Sequence, residues 1–179
     1  MRTLILLLAL LALGGCGTGS ASSFGEVALR LPAKPSADEA GLFLATARGY
    51  DEGEGVELQV TRRGRADYRL VARPPAGCVA VMAVVRPAKL VLCVDRFTLS
   101  DQRDEVVAVV RALMRGYTQT QREPDEAVAA MREQVDGLDR DALSARLDDA
   151  IPTWTAGAPY FGQLAPGPRR DPSVAADAH

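Results

Sequence analysis

The sequence predicts one small α/β domain with a mostly parallel central sheet and helices on both faces. Three observations carry that expectation. A strand–helix–strand pattern occupies residues 27–60, two continuous apolar runs lie at 78–85 and 89–95, and amphipathic helical segments follow residue 100. A strand, a helix and a strand in so short a span form a βαβ unit, whose strands pair in parallel through a right-handed crossover. Apolar runs without alternation suit strands buried on both faces.

The elements follow in order. Val27 to Leu31 reads as a short strand, and Pro32 and Pro35 force a loop after it. Ser36 or Asp38 can cap a helix through Ala40, Leu42, Phe43, Leu44 and Ala47 toward Tyr50, which Gly49, Gly53 and Gly55 end. Val56 to Val60 alternates with period two, as a half-buried strand does. Arg62, Arg63, Arg65, Arg69 and Arg73 then crowd a stretch of weak periodicity, read as a solvated loop with a short strand over 66–72. Pro74-Pro75-Ala76-Gly77 is a turn. The two apolar runs follow as buried central strands, the second ending in a polar loop at Asp95-Arg96.

Val106, Val109, Val110, Leu113 and Tyr117 recur at helical spacing, with Ser100 or Asp101 as cap. Pro124 opens the next helix at the first-turn position that suits proline, and Asp125 and Glu126 complement its dipole. Val128, Met131 and Val135 form its apolar stripe, and Gly137 stops it. Asp139 caps a third helix with Leu143, Leu147 and Ile151, which Pro152 closes. Residues 153–161 read as an ordered loop, and the Pro/Arg/Asp/Ala tail over 163–179 as disordered.

Composition narrows the function. A formal charge of −2 argues against bulk attraction to nucleic acid. The sole histidine is His179, no G-x-S-x-G or Cys/His pair is present, and no glycine-rich phosphate loop occurs, so neither an enzyme nor a cofactor is expected. Cys78 and Cys93 read most plainly as two buried thiols in neighbouring strands, although a disulfide would suit an exported protein.

The start of the chain carries the most specific signal. Met1-Arg2 precedes an apolar run from Thr3 to Leu13, too short for a stable membrane span but suited to the core of a secretory leader. Leu13-Gly14-Gly15-Cys16 resembles the bacterial lipobox, in which the cysteine thiol receives a lipid and the leader is removed. The expected organisation is a leader over 1–15, a lipidated Cys16 and Gly/Ser-rich tether over 16–25, and a domain over 26–162. The chain would then sit on the extracytoplasmic face of a bacterial membrane.

Two stretches carry a wider resemblance. Pro35, Ala40-Gly41-Leu42-Phe43-Leu44-Ala45, Arg48-Gly49-Tyr50 and Glu54-Gly55-Val56-Glu57-Leu58 form the first. The strand KLVLCVDR, the helix VVAVVRALMRGYTQTQREPDEAV and the ending TWTAGAPYFG form the second. In this order they resemble substrate-binding proteins of ABC importers, the alkanesulfonate, taurine, nitrate and thiamine-pyrimidine-precursor branch with the type 2 periplasmic binding protein fold. Family members have two lobes with the ligand clamped between them. Only residues 61–86 lie where the inserted second lobe belongs, so the chain resembles the first lobe alone.

The resemblance implies a small nitrogen-bearing or sulfonated solute, an ABC permease as partner and no covalent step. It also places ligand contacts in the loop after the first strand, where the aromatic, Asn and His positions hold Ala33, Ser36 and Glu39. Ser36, Asp38 and Glu39 are therefore candidate ligand contacts, although Ser36 and Asp38 read more plainly as helix caps. Trp154 and Tyr160, with Phe161, would stack a flat heterocycle or seal the open end of the helix layer. The alternative function is an envelope interaction lipoprotein that keeps the fold without a pocket.

Overall fold

The computed structural model describes residues 24–85 and 90–179. Strand β1 (Gly25–Arg30) leads through a 3-10 turn (Ala37–Glu39) into α1 (Ala40–Ala47) and the short α2 (Tyr50–Gly53). Strands β2 (Val56–Thr61), β3 (Tyr68–Val71), β4 (Cys78–Val85) and β5 (Leu90–Asp95) follow. The remainder is α3 (Arg96–Asp101), α4 (Arg103–Arg122), α5 (Pro124–Gln134), α6 (Arg140–Trp154) and α7 (Pro172–Ala178). The leader over 1–15 and the lipid site at Cys16 lie outside the described residues. The expected tether gives way to the fold at its end: the Phe24 N–H donates to Gly55 O at 2.7 Å, and β1 starts at Gly25.

All five strands share one sheet in the order β2-β1-β3-β5-β4. β1 pairs in parallel with β2 and β3, whereas β5 pairs antiparallel with β3 and β4. Four strands therefore run one way and β5 runs the other. The expected βαβ unit is present, but half of the strand pairings are antiparallel. Only residues 86–89 separate β4 from β5, and a connection that short can join only antiparallel neighbours. The short strand expected over 66–72 and the apolar strand expected over 78–85 are both present, as β3 and β4.

Helices on both faces were expected, and here the fold differs. Val27 and Leu29, Val56 and Leu58, Tyr68 and Leu70, and Leu92 and Val94 all point to one face. There they join residues of α1, α4, α5, α6 and α7 in the main core. Glu57 and Gln59 on the opposite face are exposed. That face cannot seat a helix over β1 and β2, because its positions there include Glu26, Arg30, Glu57 and Gln59. Only its β4–β5 end is apolar, and Leu164 covers Ala80, Ala83 and Val91.

β4 is not central, as its apolar run suggested, but lies at the sheet edge. The chain after α6 covers that edge: Ala83 N–H donates to Gly162 O at 3.0 Å, Ala80 N–H to Arg169 O at 2.9 Å, and Asp171 N–H to Ala80 O at 2.9 Å. This return path leads to α7, which corrects the expectation of a disordered tail. Val174, Ala175 and Ala178 are buried. Arg103 holds α7 from outside, donating to Asp171 Oδ2 at 3.2 Å, Ser173 Oγ at 2.8 Å and Asp177 Oδ2 at 2.8 Å.

Three local expectations also shift. The polar loop at Asp95-Arg96 is the start of α3, capped by Asp95, whose Oδ1 accepts from Phe97 N–H at 2.9 Å. Helix α6 runs through Pro152 to Trp154. Cys78 and Cys93 form a disulfide with their Cα atoms 5.8 Å apart, instead of two thiols. Ala80 sits opposite Cys93 in the β4–β5 register, so the bond is a diagonal cross-strand link.

The helix layer is drawn together where α1 meets α4. A Cβ on Gly41 would lie 2.4 Å from the Tyr117 ring, and one on Gly116 would lie 2.2 Å from Gly41 O. Two glycines facing each other let the helices touch backbone to backbone. Tyr117 is thereby placed over the amino end of α1, where the candidate site begins.

Candidate functional site

Open α/β sheets collect ligands beyond the carboxyl ends of their parallel strands. Ser36, Asp38 and Glu39 stand there, in the 3-10 turn after β1. Ser36 has the extended backbone of a helix cap, with φ −139° and ψ 148°. Its Oγ accepts from Asp38 N–H at 3.1 Å and donates to Asp38 Oδ2 at 3.1 Å. The other Asp38 oxygen, Oδ1, accepts from Trp154 Nε1–H at 3.5 Å, and the Asp38 carbonyl accepts from the Tyr117 hydroxyl at 2.6 Å. Of the sequence-predicted set, Ser36, Asp38 and Trp154 therefore meet, Trp154 reaching Ser36 through Asp38.

They meet in a largely buried network, with Ser36 and Asp38 at its half-buried rim. Trp154 and Tyr117 have no exposed surface, and Glu39 has none either. Tyr117 stacks on Phe161 at 4.6 Å between ring centroids and takes Trp154 edge-on at 4.9 Å. Such aromatic contacts add to the area that the rings bury. The aromatics thus seal the helix layer and leave no face for a heterocycle. Burial, with Glu39 and Asp38 nearby, holds the Tyr117 phenol well above its usual range.

Glu39 is answered by Arg62, which enters from the chain after β2. Arg62 Nη2 donates to Glu39 Oε2 at 2.6 Å, Nη1 to Oε1 at 3.3 Å, and Nη1 also to Pro32 O at 2.6 Å. Burial holds the Glu39 carboxyl above its ordinary value, although the hydrogen bonds and charge of Arg62 pull it back. One of the arginines assigned to a solvated loop is thus the partner of the most buried carboxyl in the turn. Tyr160 stands apart: it is half-buried, and its ring meets the His179 ring at 4.4 Å.

The space beside the network is small. A cavity of about 190 Å³ opens between Pro35, Ser36 and Ala37 on one side and Met131, Leu138 and Leu143 on the other. Ligand pockets commonly enclose roughly 300–1,000 Å³, so this one is undersized for a clamped solute.

A larger hollow, of about 460 Å³, lies on the helix layer and was not anticipated from the sequence. Tyr50, Arg111, Met114, Arg115, Thr118 and Arg122 line it. Arg111 and Arg115 both donate to Glu54, at 3.0 and 3.2 Å, and the Arg115 guanidinium lies 4.5 Å over the Tyr50 ring. The i, i+4, i+11 spacing of the three arginines on α4 was the available signal. Among the described residues no group of three or more His, Cys, Asp or Glu side chains could hold a metal ion. No family model matches the chain, and no curated protein matches it.

Proposed function

We propose that the chain is a lipoprotein of the bacterial cell envelope, anchored through Cys16, whose single α/β lobe is an interaction module and not a solute clamp. One observation carries this reading: Ser36, Asp38, Glu39 and Trp154 spend their polar atoms on one another, on Tyr117 and on Arg62, with Glu39, Trp154 and Tyr117 fully buried and Ser36 and Asp38 half-buried. A solute would have to break that network to enter. The Cys78–Cys93 disulfide supports an oxidising compartment. One shared sheet with four strands in one direction supports descent from the first lobe of an importer's binding protein, in the type 2 periplasmic fold. An ABC permease is the partner that such descent suggests.

Isothermal titration of the purified full chain with taurine, nitrate and a thiamine pyrimidine precursor is expected to give no binding heat at micromolar ligand. Micromolar affinity that Asp38→Asn removes would overturn the reading. A lipid-sized mass increase on Cys16, lost in Cys16→Ser, tests the anchor separately.

A second reading, solute binding elsewhere on the lobe, is favoured by the 460 Å³ hollow. Three guanidinium groups suit a sulfonate or carboxylate. On that reading taurine gives heat that Arg122→Ala removes and Asp38→Asn leaves unchanged.

A further inference from the structure

Phe97 is the exposed large apolar side chain of the described residues, with 71% of its surface open. It sits on α3, which begins where β5 ends. β5 runs against the other strands, so its end lies at the beginnings of β4 and β3: Asp95 is opposite Cys78, and Val94 is opposite Tyr68, which the stagger of the sheet sets level with Leu29 on β1. The chain enters the fold on the same side of the sheet, through Phe24 and Gly25, four positions before Leu29, and α3 runs across that offset. Phe24 and Ser100 to Glu105 line one hollow. The turn before β4 joins them, since Arg96 N–H donates to Gly77 O at 3.0 Å, and Pro75 and Ala76 beside it are exposed. Ser36, Asp38 and Glu39 are at the opposite end.

Seven residues, 17 to 23, separate Cys16 from Phe24. A chain extends at most about 3.5 Å per residue, so Phe24 stays within roughly 25–30 Å of a lipid carried by Cys16. That length is too short to let the domain turn freely away from the bilayer.

We propose that the amino end of the sheet docks on the lipid surface that holds the protein, with Phe97 entering the headgroup region. This rests on the reading of Cys16 as lipidated. The surrounding charges set the kind of surface. Asp67, Asp95 and Asp101 outnumber Arg96 among the exposed residues around α3, so anionic lipid is not the attraction. Burial of the ring is, and a zwitterionic surface suffices. One phenylalanine binds weakly by itself, but a short anchor holds it at high effective concentration beside the membrane. The docked orientation turns the Ser36 end and its Glu39–Arg62 pair toward the aqueous side.

The test uses the lipidated full chain reconstituted in phosphatidylcholine vesicles that carry a nitroxide-labelled lipid. Phe97→Trp places a reporter on α3, and Lys34→Trp places one on the exposed loop at the far end. Trp154 is fully buried and gives the same background in both. Phe97→Trp emission is expected to shift to the blue and to be quenched several-fold more strongly than Lys34→Trp emission, equally with and without anionic lipid. Equal quenching of the two, with the protein still floating on the vesicles, overturns the docking alone. Failure of the wild-type protein to float, or unchanged flotation of Cys16→Ser, overturns the anchor and the docking with it.

Discussion

Glu39 carries a carboxyl to a place without exposed surface, and Arg62 is its answer. Breaking a buried pair by removing one partner strands the other charge, at a cost of about 3 kcal/mol. Arg62→Met is therefore expected to lower the urea midpoint strongly near neutral pH and less in acid, where Glu39 is protonated. The wild-type pH dependence has a definite sign. Glu39's folded value is raised above its ordinary 4.5. Its contribution to stability is thus fully present below that ordinary value and is lost as pH rises through the raised one. Glu39→Gln lacks this loss, so its stability relative to wild type should improve from about pH 4 to about pH 7. An unchanged difference between the two conditions would refute the assignment. Ser36 was legible as a cap because capping is local, whereas Asp38 caps no helix and instead accepts from Ser36 Oγ and Trp154 Nε1. The Arg62 partnership was not, since nothing in a run of five arginines distinguishes the one that turns inward.

Helix α4 shows how far periodicity reaches. The spacing of Val106, Val109, Val110, Leu113 and Tyr117 marks its buried face, and all five are buried. The pattern is silent on what the glycine between Arg115 and Tyr117 is for. A methyl on Gly116 would meet Gly41 O at 2.2 Å and the Ala45 Cβ at 2.6 Å. In an isolated helix Gly→Ala gains about 1 kcal/mol. In this crossing Gly116→Ala is expected to lose about 2 kcal/mol or more, because a backbone carbonyl cannot step aside. A thermal melt decides between the two signs. The same silence covers α3 and α7, with six and seven residues. Neither is long enough to show a repeat, and both are fixed by side-chain caps and by packing with distant residues.

At the scale of the whole molecule, the strands were read from the sequence but their arrangement was not. β4's apolar run reads as a central strand. It is an edge instead, and what makes it look central is the returning chain at Gly162 and Arg169. No local pattern announces that the last residues fold back across the first half of the protein. Val174, buried on α7, is the side chain that holds this return in the core. Val174→Asp places a charge there without a partner and should cost about 3 kcal/mol or more. It should also release the β4 edge, so that light scattering rises along with the fall in the denaturation midpoint. A variant that stays monomeric with an unchanged midpoint would show that the last helix is dispensable.

The buried sulfur–sulfur link between β4 and β5 turns the sheet into its own timekeeper. Cys93 has no exposed surface and Cys78 has 4%, so a dissolved reductant must wait for the two strands to part. Under native conditions the rate of cleavage by dithiothreitol therefore counts spontaneous openings of this pair. A core substitution that loosens the strands should quicken that clock before any change in overall shape is visible.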